Sequence, residues 1–139
     1  NDYVEKFVEE VDMSKVLTAE TVMVEYGEMA NTKTDGPKAA LHKMRKIKTS
    51  SIFARKDGKL DGIVFARDAS AAREKGEKTL ENIIKRDIPT VTTDTVANEL
   101  FPIMAEIDYP LAVVDDKHHL KGIIVRGALL AALGDNVRE

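Results

Sequence analysis

A chain of 139 residues, 43% hydrophobic and 32% charged, has the composition of a folded globular protein of single-domain length. No run approaches the roughly 18–20 apolar residues that cross a bilayer, and no basic stretch leads into an apolar one near the start, so no signal peptide is expected. A formal charge of −3 argues against general nucleic-acid binding, and the lack of cysteine excludes disulfides and thiolate metal sites, as fits a cytosolic protein.

Residues 2–11 place Tyr3, Val4, Phe7, Val8 and Val11 at helical spacing with acidic residues on the other side. Such a helix is too short to stand alone, and it reads as a connector, residues 1–13, from something larger upstream. Asp12 or Ser14 can cap a further short turn. Residues 22–37 carry loop chemistry, with Gly27, Asn31, Asp35 and Gly36. Pro37 then opens a helix to residue 48, with Ala40, Leu41, Met44 and Ile47 as its apolar stripe. Its other faces hold Lys38, Lys43, Arg45, Lys46 and Lys48. These form either a solvated face or an electrostatic contact with an anionic partner that salt would weaken.

Residues 51–55 and 60–65 read as a strand pair about an Asp57-Gly58 turn, followed by a helix from 66 to 75 ending at Gly76. One or two further turns are expected over 78–85, then an extended stretch over 87–94. A second helix is expected over 96–107, with Thr95 as its cap and Pro102 producing a kink or a late start. Strands before and after the polar turn at 115–119 follow, and a last helix over 126–133 ends at Gly134.

The order helix, strand, turn, strand, helix thus occurs twice, most visibly in Leu60-Asp61-Gly62-Ile63-Val64-Phe65 and, sixty positions on, Leu120-Lys121-Gly122-Ile123-Ile124-Val125. This is an α/β (α+β) chain of two repeats, residues 14–77 and 78–139. A unit of about 60 residues is marginal alone, so the halves should share a core and any ligand should lie in the cleft between them.

Motifs for catalysis are missing: no cysteine nucleophile, Gly-x-Ser-x-Gly, Walker A loop, Gly-x-Gly-x-x-Gly or His-Glu-x-x-His is present. His118 and His119 are neighbours in a turn, which points them apart and makes a solvated turn the simpler reading than a metal site. Asp68, in the first turn after the first repeat's strands, can accept hydrogen bonds from a ribose, or simply be an acid favoured by the helix dipole. Arg126 holds the matching junction in the second repeat, placed for a phosphate or for solvent.

The doubled Gly-apolar-apolar strand leading into an Ala/Leu-rich helix resembles two CBS domains in tandem, a Bateman module. Within that family, residues 11–19, 36–41 and 122–133 look like the C-terminal part of the ATP-binding subunit of glycine betaine/L-proline ABC transporters. The resemblance implies two small sheets, each with two helices, packed about a pseudo-twofold axis, and a homodimer of such modules. It implies a regulatory, non-enzymatic part requiring no cofactor, attached to the ATPase domain of the same chain and to a permease at the inner face of the cell membrane. Relatives hold adenosine-containing ligands with Gly-apolar-apolar-Thr/Ser-x-x-Asp. Here Phe65 replaces the hydroxyl residue while Asp68 remains, and Val125 and Ala128 replace both in the second copy. For cyclic di-AMP beside the second repeat, the resemblance implies Tyr109 stacking on adenine, Ile123 and Val125 lining the pocket, and Arg126 meeting phosphate. For a response to ionic strength, it implies the basic helix contacting an anionic membrane surface. The alternative to the transporter is a stand-alone adaptor that binds an adenine nucleotide.

Overall fold

The computed structural model describes residues 16–138, so the expected connector helix over 2–11 and the caps Asp12 and Ser14 lie outside the described residues. Eleven elements follow among them: α1 (Ala19–Val22), β1 (Ala30–Asn31), α2 (Pro37–Ile47), β2 (Ser51–Lys56), β3 (Lys59–Phe65), α3 (Ala66–Glu74), β4 (Thr90–Val91), α4 (Ala97–Ala105), β5 (Leu111–Val114), β6 (Leu120–Ile124) and α5 (Arg126–Arg138). They make two three-stranded sheets, β1-β2-β3 and β4-β5-β6, each with a parallel first pair and an antiparallel hairpin.

Local sequence accounts for the long elements. Pro37 sits in the first turn of α2, and the helix ends on Lys48 in the left-handed conformation, φ 58°. Asp57 and Gly58 both have positive φ, 53° and 80°, as a two-residue hairpin turn requires. In the second hairpin the Asp115 carboxylate accepts from the backbone N–H groups of Lys117 and His119, at 3.0 and 2.8 Å, and so builds the turn from a side chain.

Several expectations need correction. Val96, not Thr95, occupies the N-cap of α4, while the Thr95 hydroxyl accepts from the Thr92 N–H at 3.2 Å and closes the preceding turn. α4 runs through Pro102, an exposed residue in its interior, so the expected late start after the proline does not occur. Gly134 does not end the last helix, which continues to Arg138; the residues just before the glycine, Ala132 and Leu133, pack on the second core. The turn expected over residues 78–85 is present, with the Leu80 carbonyl accepting from Ile83 and Ile84 before Lys85 pairs with Ile63. β4 falls inside the extended stretch expected over 87–94, whereas the short elements α1 and β1 carry no periodicity that a sequence window can register.

Packing crosses the sequence repeat. Ala19 and Val22 of α1 lie in the core of the second half, whereas Leu80, Ile83 and Ile84, which follow the first repeat, complete the core of the first. Backbone pairing repeats the exchange: Lys85 bridges Ile63 and Val24 bridges Ile123. Both crossings carry glycine on the strand, most strictly at Gly62, where the neighbour is backbone. A Cβ on Gly62 would stand 2.4 Å from the Lys85 carbonyl oxygen, and one on Gly122 would stand 2.9 Å from Met23 Sδ. A third cluster, including Phe53, Leu60 and Ile63 from one half and Ala112, Val114 and Leu120 from the other, is the shared core that small repeats require.

Candidate functional site

The segment between α4 and β5 carries Asp108, Tyr109 and Pro110, which wall two cavities of about 290 Å³ each. One opens between the halves and is lined by Tyr26, Glu28, Lys48, Phe53 and Ile123. The other lies beside the β6–α5 junction, where Met104, Ile107, Val125 and Arg126 meet Tyr109. Of the sequence candidates, Tyr109 is thus brought together with Ile123 on one side and with Val125 and Arg126 on the other.

Tyr109 is held by its neighbours. Its ring meets Phe65 edge-on, with centroids 5.5 Å apart and planes at 68°, and the Arg67 guanidinium lies 4.9 Å above the Phe65 ring. Burial pushes the tyrosine hydroxyl above its ordinary pKa, and the carboxylates of Asp108 and Asp87 add to the shift. The phenol is therefore a neutral donor, with an apolar face available for stacking.

Arg126 begins α5, and its Nη2 donates to the carbonyls of Met104 and Ile107 at 2.8 and 3.0 Å, capping the end of α4. Nε and Nη1 have no protein acceptor among the described residues, leaving part of the cation to the cavity. The cap and the cavity therefore share one guanidinium.

Asp68 is not part of this arrangement. It lies in the first turn of α3, lining a separate depression of about 190 Å³ with Lys75, Asn82 and Lys85. Phe65 stands where a hydroxyl residue would accompany it, and is engaged with Tyr109 and Arg67.

The basic residues of α2 divide by partner. Lys43 is half-buried, pairs with Asp35 at 2.9 Å and donates to the Met29 carbonyl at 3.1 Å. Lys46 pairs with Glu28 at 3.4 Å, and Lys48 lines the cavity between the halves. Lys38 and Arg45 are exposed with no acidic partner among the described residues.

Sequence reasoning passed over the Asp61 network. Arg86 holds Asp61 at 3.0 Å and Glu81 at 3.1 Å, while the buried Thr32 hydroxyl donates to Asp61 at 2.9 Å. The hydrogen bond from Arg86 holds the Asp61 carboxyl below its ordinary pKa, with burial opposing and Thr32 assisting. The one hint in the sequence is the change from Asp61-Gly62 to Lys121-Gly122 between repeats. Among the described residues no cluster suited to a metal ion occurs, and no helix is long and apolar enough to cross a membrane.

Residues 80–135 match the family model for the CBS domain. The chain is 44% identical over 137 residues to the glycine betaine transport ATP-binding protein OpuAA of Bacillus subtilis, covering 98% of this chain and 32% of that protein. It thus spans about a third of the length of that curated relative. Among solved structures, OpuCA of Staphylococcus aureus superposes with a TM-score of 0.72 at 23% identity, over 84% of this chain and 99% of the other. The CBS-pair protein CBSX2 of Arabidopsis thaliana, in complex with AMP, superposes with a TM-score of 0.74 at 18% identity, over 88% and 99%. At those identities the structures speak to fold alone.

Proposed function

We propose that the chain is a pair of CBS domains serving as the regulatory module of an osmoprotectant importer, belonging to the ATP-binding subunit. The observation that carries this reading is 44% identity over 98% of the chain to a glycine betaine transport ATP-binding protein of which it spans a third. The 139 residues hold no Walker A loop, so ATP hydrolysis would belong to another part of that subunit. The module would act as a homodimer beside the ATPase domain and the permease, at the inner face of the cell membrane. It would bias their arrangement only through a difference in ligand or salt free energy between two states.

Cyclic di-AMP suits the cavities flanking Tyr109. The Tyr109 ring offers a stacking face for adenine, Ile123 and Val125 supply apolar walls, and Arg126 retains donors for a phosphate. The AMP complex of CBSX2 supports an adenine nucleotide in this fold. The Phe65 contact with Tyr109 weighs against a mononucleotide using Asp68. Isothermal titration with cyclic di-AMP, AMP and ATP tests the reading. Saturable cyclic di-AMP binding that Tyr109→Ala abolishes supports it, and absence of heat with all three sinks it.

A second reading, response to ionic strength, draws on Lys38 and Arg45, the exposed cations of α2 that no described acid neutralises. Salt would weaken whatever anionic surface they contact, over a Debye length of about 8 Å at physiological ionic strength.

A further inference from the structure

The start of α2 and the end of α3 wall an open cavity of about 520 Å³ that shares no lining residue with the two cavities at Tyr109. Local sequence builds it. α3 is followed by Gly76 in the left-handed conformation, φ 78°, whose N–H donates to the Arg73 carbonyl while the Glu77 N–H donates to the Ala72 carbonyl, both at 3.0 Å. This turn brings Glu77 and Lys78 to the start of α2, where Gly36 lets two backbones meet: a Cβ there would stand 2.5 Å from the Lys78 carbonyl oxygen. The walls are joined through backbone.

The charge on those walls is unbalanced. Lys38, Arg73 and Lys78 line the cavity with His42, against a single acid, Glu77. The three cationic side chains hold no hydrogen bond or ion pair among the described residues, whereas Lys33, Lys43, Lys46 and Arg86 each hold an acid. Glu77 could neutralise them, yet its Oε1 accepts from Asn82 Nδ2 at 2.8 Å, and Asn82 lines the neighbouring depression that holds Asp68. The cavity therefore keeps an excess of positive charge.

Its volume suits a small ligand. The lining includes Pro37 and Ala39 but no Phe, Tyr or Trp, so it offers little for an aromatic base to stack on. Two ammonium groups and a guanidinium fork, approaching from separate segments, match the several oxygens of phosphate. We infer that this cavity binds a small soluble oligophosphate, two or three linked phosphate groups, inorganic or the tail of a nucleotide, held by Lys38, Arg73 and Lys78 with His42 as a further hydrogen-bond partner. The inference goes beyond the regulatory reading above and needs neither Tyr109 nor Arg126. A bilayer fits less well, because these groups line a concavity that a flat layer of headgroups meets only at its rim.

Titration calorimetry of the chain with sodium tripolyphosphate, with ATP and with phosphatidylglycerol vesicles tests this. Tripolyphosphate should bind saturably and more weakly as salt rises. Lys38→Ala and Arg73→Ala should each weaken binding about tenfold, and Lys38→Arg should retain it. Glu77→Gln, which removes the one acid from the wall, should tighten it severalfold. Lys38 and Arg73 are exposed and hold no partner, so thermal unfolding of their variants should match wild type and separate loss of the site from loss of the fold. Tyr109→Ala should leave tripolyphosphate binding unchanged, which keeps this result apart from the cyclic di-AMP reading. ATP bound with the same dependence on Lys38 and Arg73 identifies a nucleotide tail as one source of the phosphates, and tripolyphosphate bound without ATP identifies an inorganic one. Absence of saturable tripolyphosphate binding overturns the inference, as does binding indifferent to Lys38→Ala and Arg73→Ala. Vesicle binding that needs both residues, with no tripolyphosphate binding, overturns it in favour of a membrane surface.

Discussion

Val24 and Ile123 exchange both backbone hydrogen bonds, at 2.8 and 2.9 Å, although they stand at opposite ends of the chain. Lys85 and Ile63 do the same at 2.8 and 2.9 Å. Each half thus borrows an edge from the segment leading into the other, so neither sheet is completed by its own repeat.

The crossings set a steric prediction. Gly62→Ala should destabilise the chain by about 1–3 kcal/mol, because the obstructing atom is a backbone carbonyl that cannot rotate away. Gly134→Ala, in open space within α5, should instead stabilise by up to about 1 kcal/mol. Urea unfolding of both variants checks the pair; a neutral Gly62→Ala would mean that the two segments do not approach this closely.

The Asp61–Arg86 pair predicts an acid limb. The folded-state pKa of Asp61 is depressed, so its contribution is present above the unfolded value of about 3.9 and is lost as pH falls through the lower folded value. Asp61→Asn should therefore be less stable than wild type at pH 7, with the gap closing under acid. Arg86 is 44% exposed, so the difference at neutral pH should be about 1 kcal/mol. Urea midpoints at neutral and acidic pH would contradict this if the gap stayed constant.

Phe65 predicts a gain of binding. Phe65→Thr should free Tyr109 from its edge-on contact and supply the hydroxyl absent beside Asp68. Saturable AMP binding should appear in the variant and disappear again in Phe65→Thr/Asp68→Ala. Equal AMP affinity in wild type and Phe65→Thr would show that the phenylalanine is no obstacle.

Arg126 predicts separable effects. Arg126→Lys keeps a cation but cannot reproduce the planar arrangement that caps Met104 and Ile107 while leaving two nitrogens free. Stability should fall by about 1 kcal/mol, while cyclic di-AMP affinity should fall severalfold but remain measurable. Thermal unfolding and titration calorimetry on the same preparation distinguish the two losses.

Periodicity and turn chemistry made most of the fold legible. The α2 stripe, the Asp57-Gly58 hairpin and the sixty-residue repeat are local patterns, and the elements they announce are present. Gly134 misled because glycine adopts helical dihedrals as readily as the left-handed ones that end a helix, so it permits a stop without imposing one. β1 and β4, two residues each, exist because a parallel neighbour supplies their hydrogen bonds.

The sequence by itself determined the repeat, the hairpins, the glycine positions and the residue types available to the cavities, since each depends on neighbours a few positions away. The tertiary structure alone decided which half each segment completes, that Tyr109 faces two cavities, that Asp68 is parted from Arg126, and that Lys43 is spent on Asp35. Those outcomes depend on contacts between residues far apart along the chain, and side-chain type does not encode which distant partner will claim it.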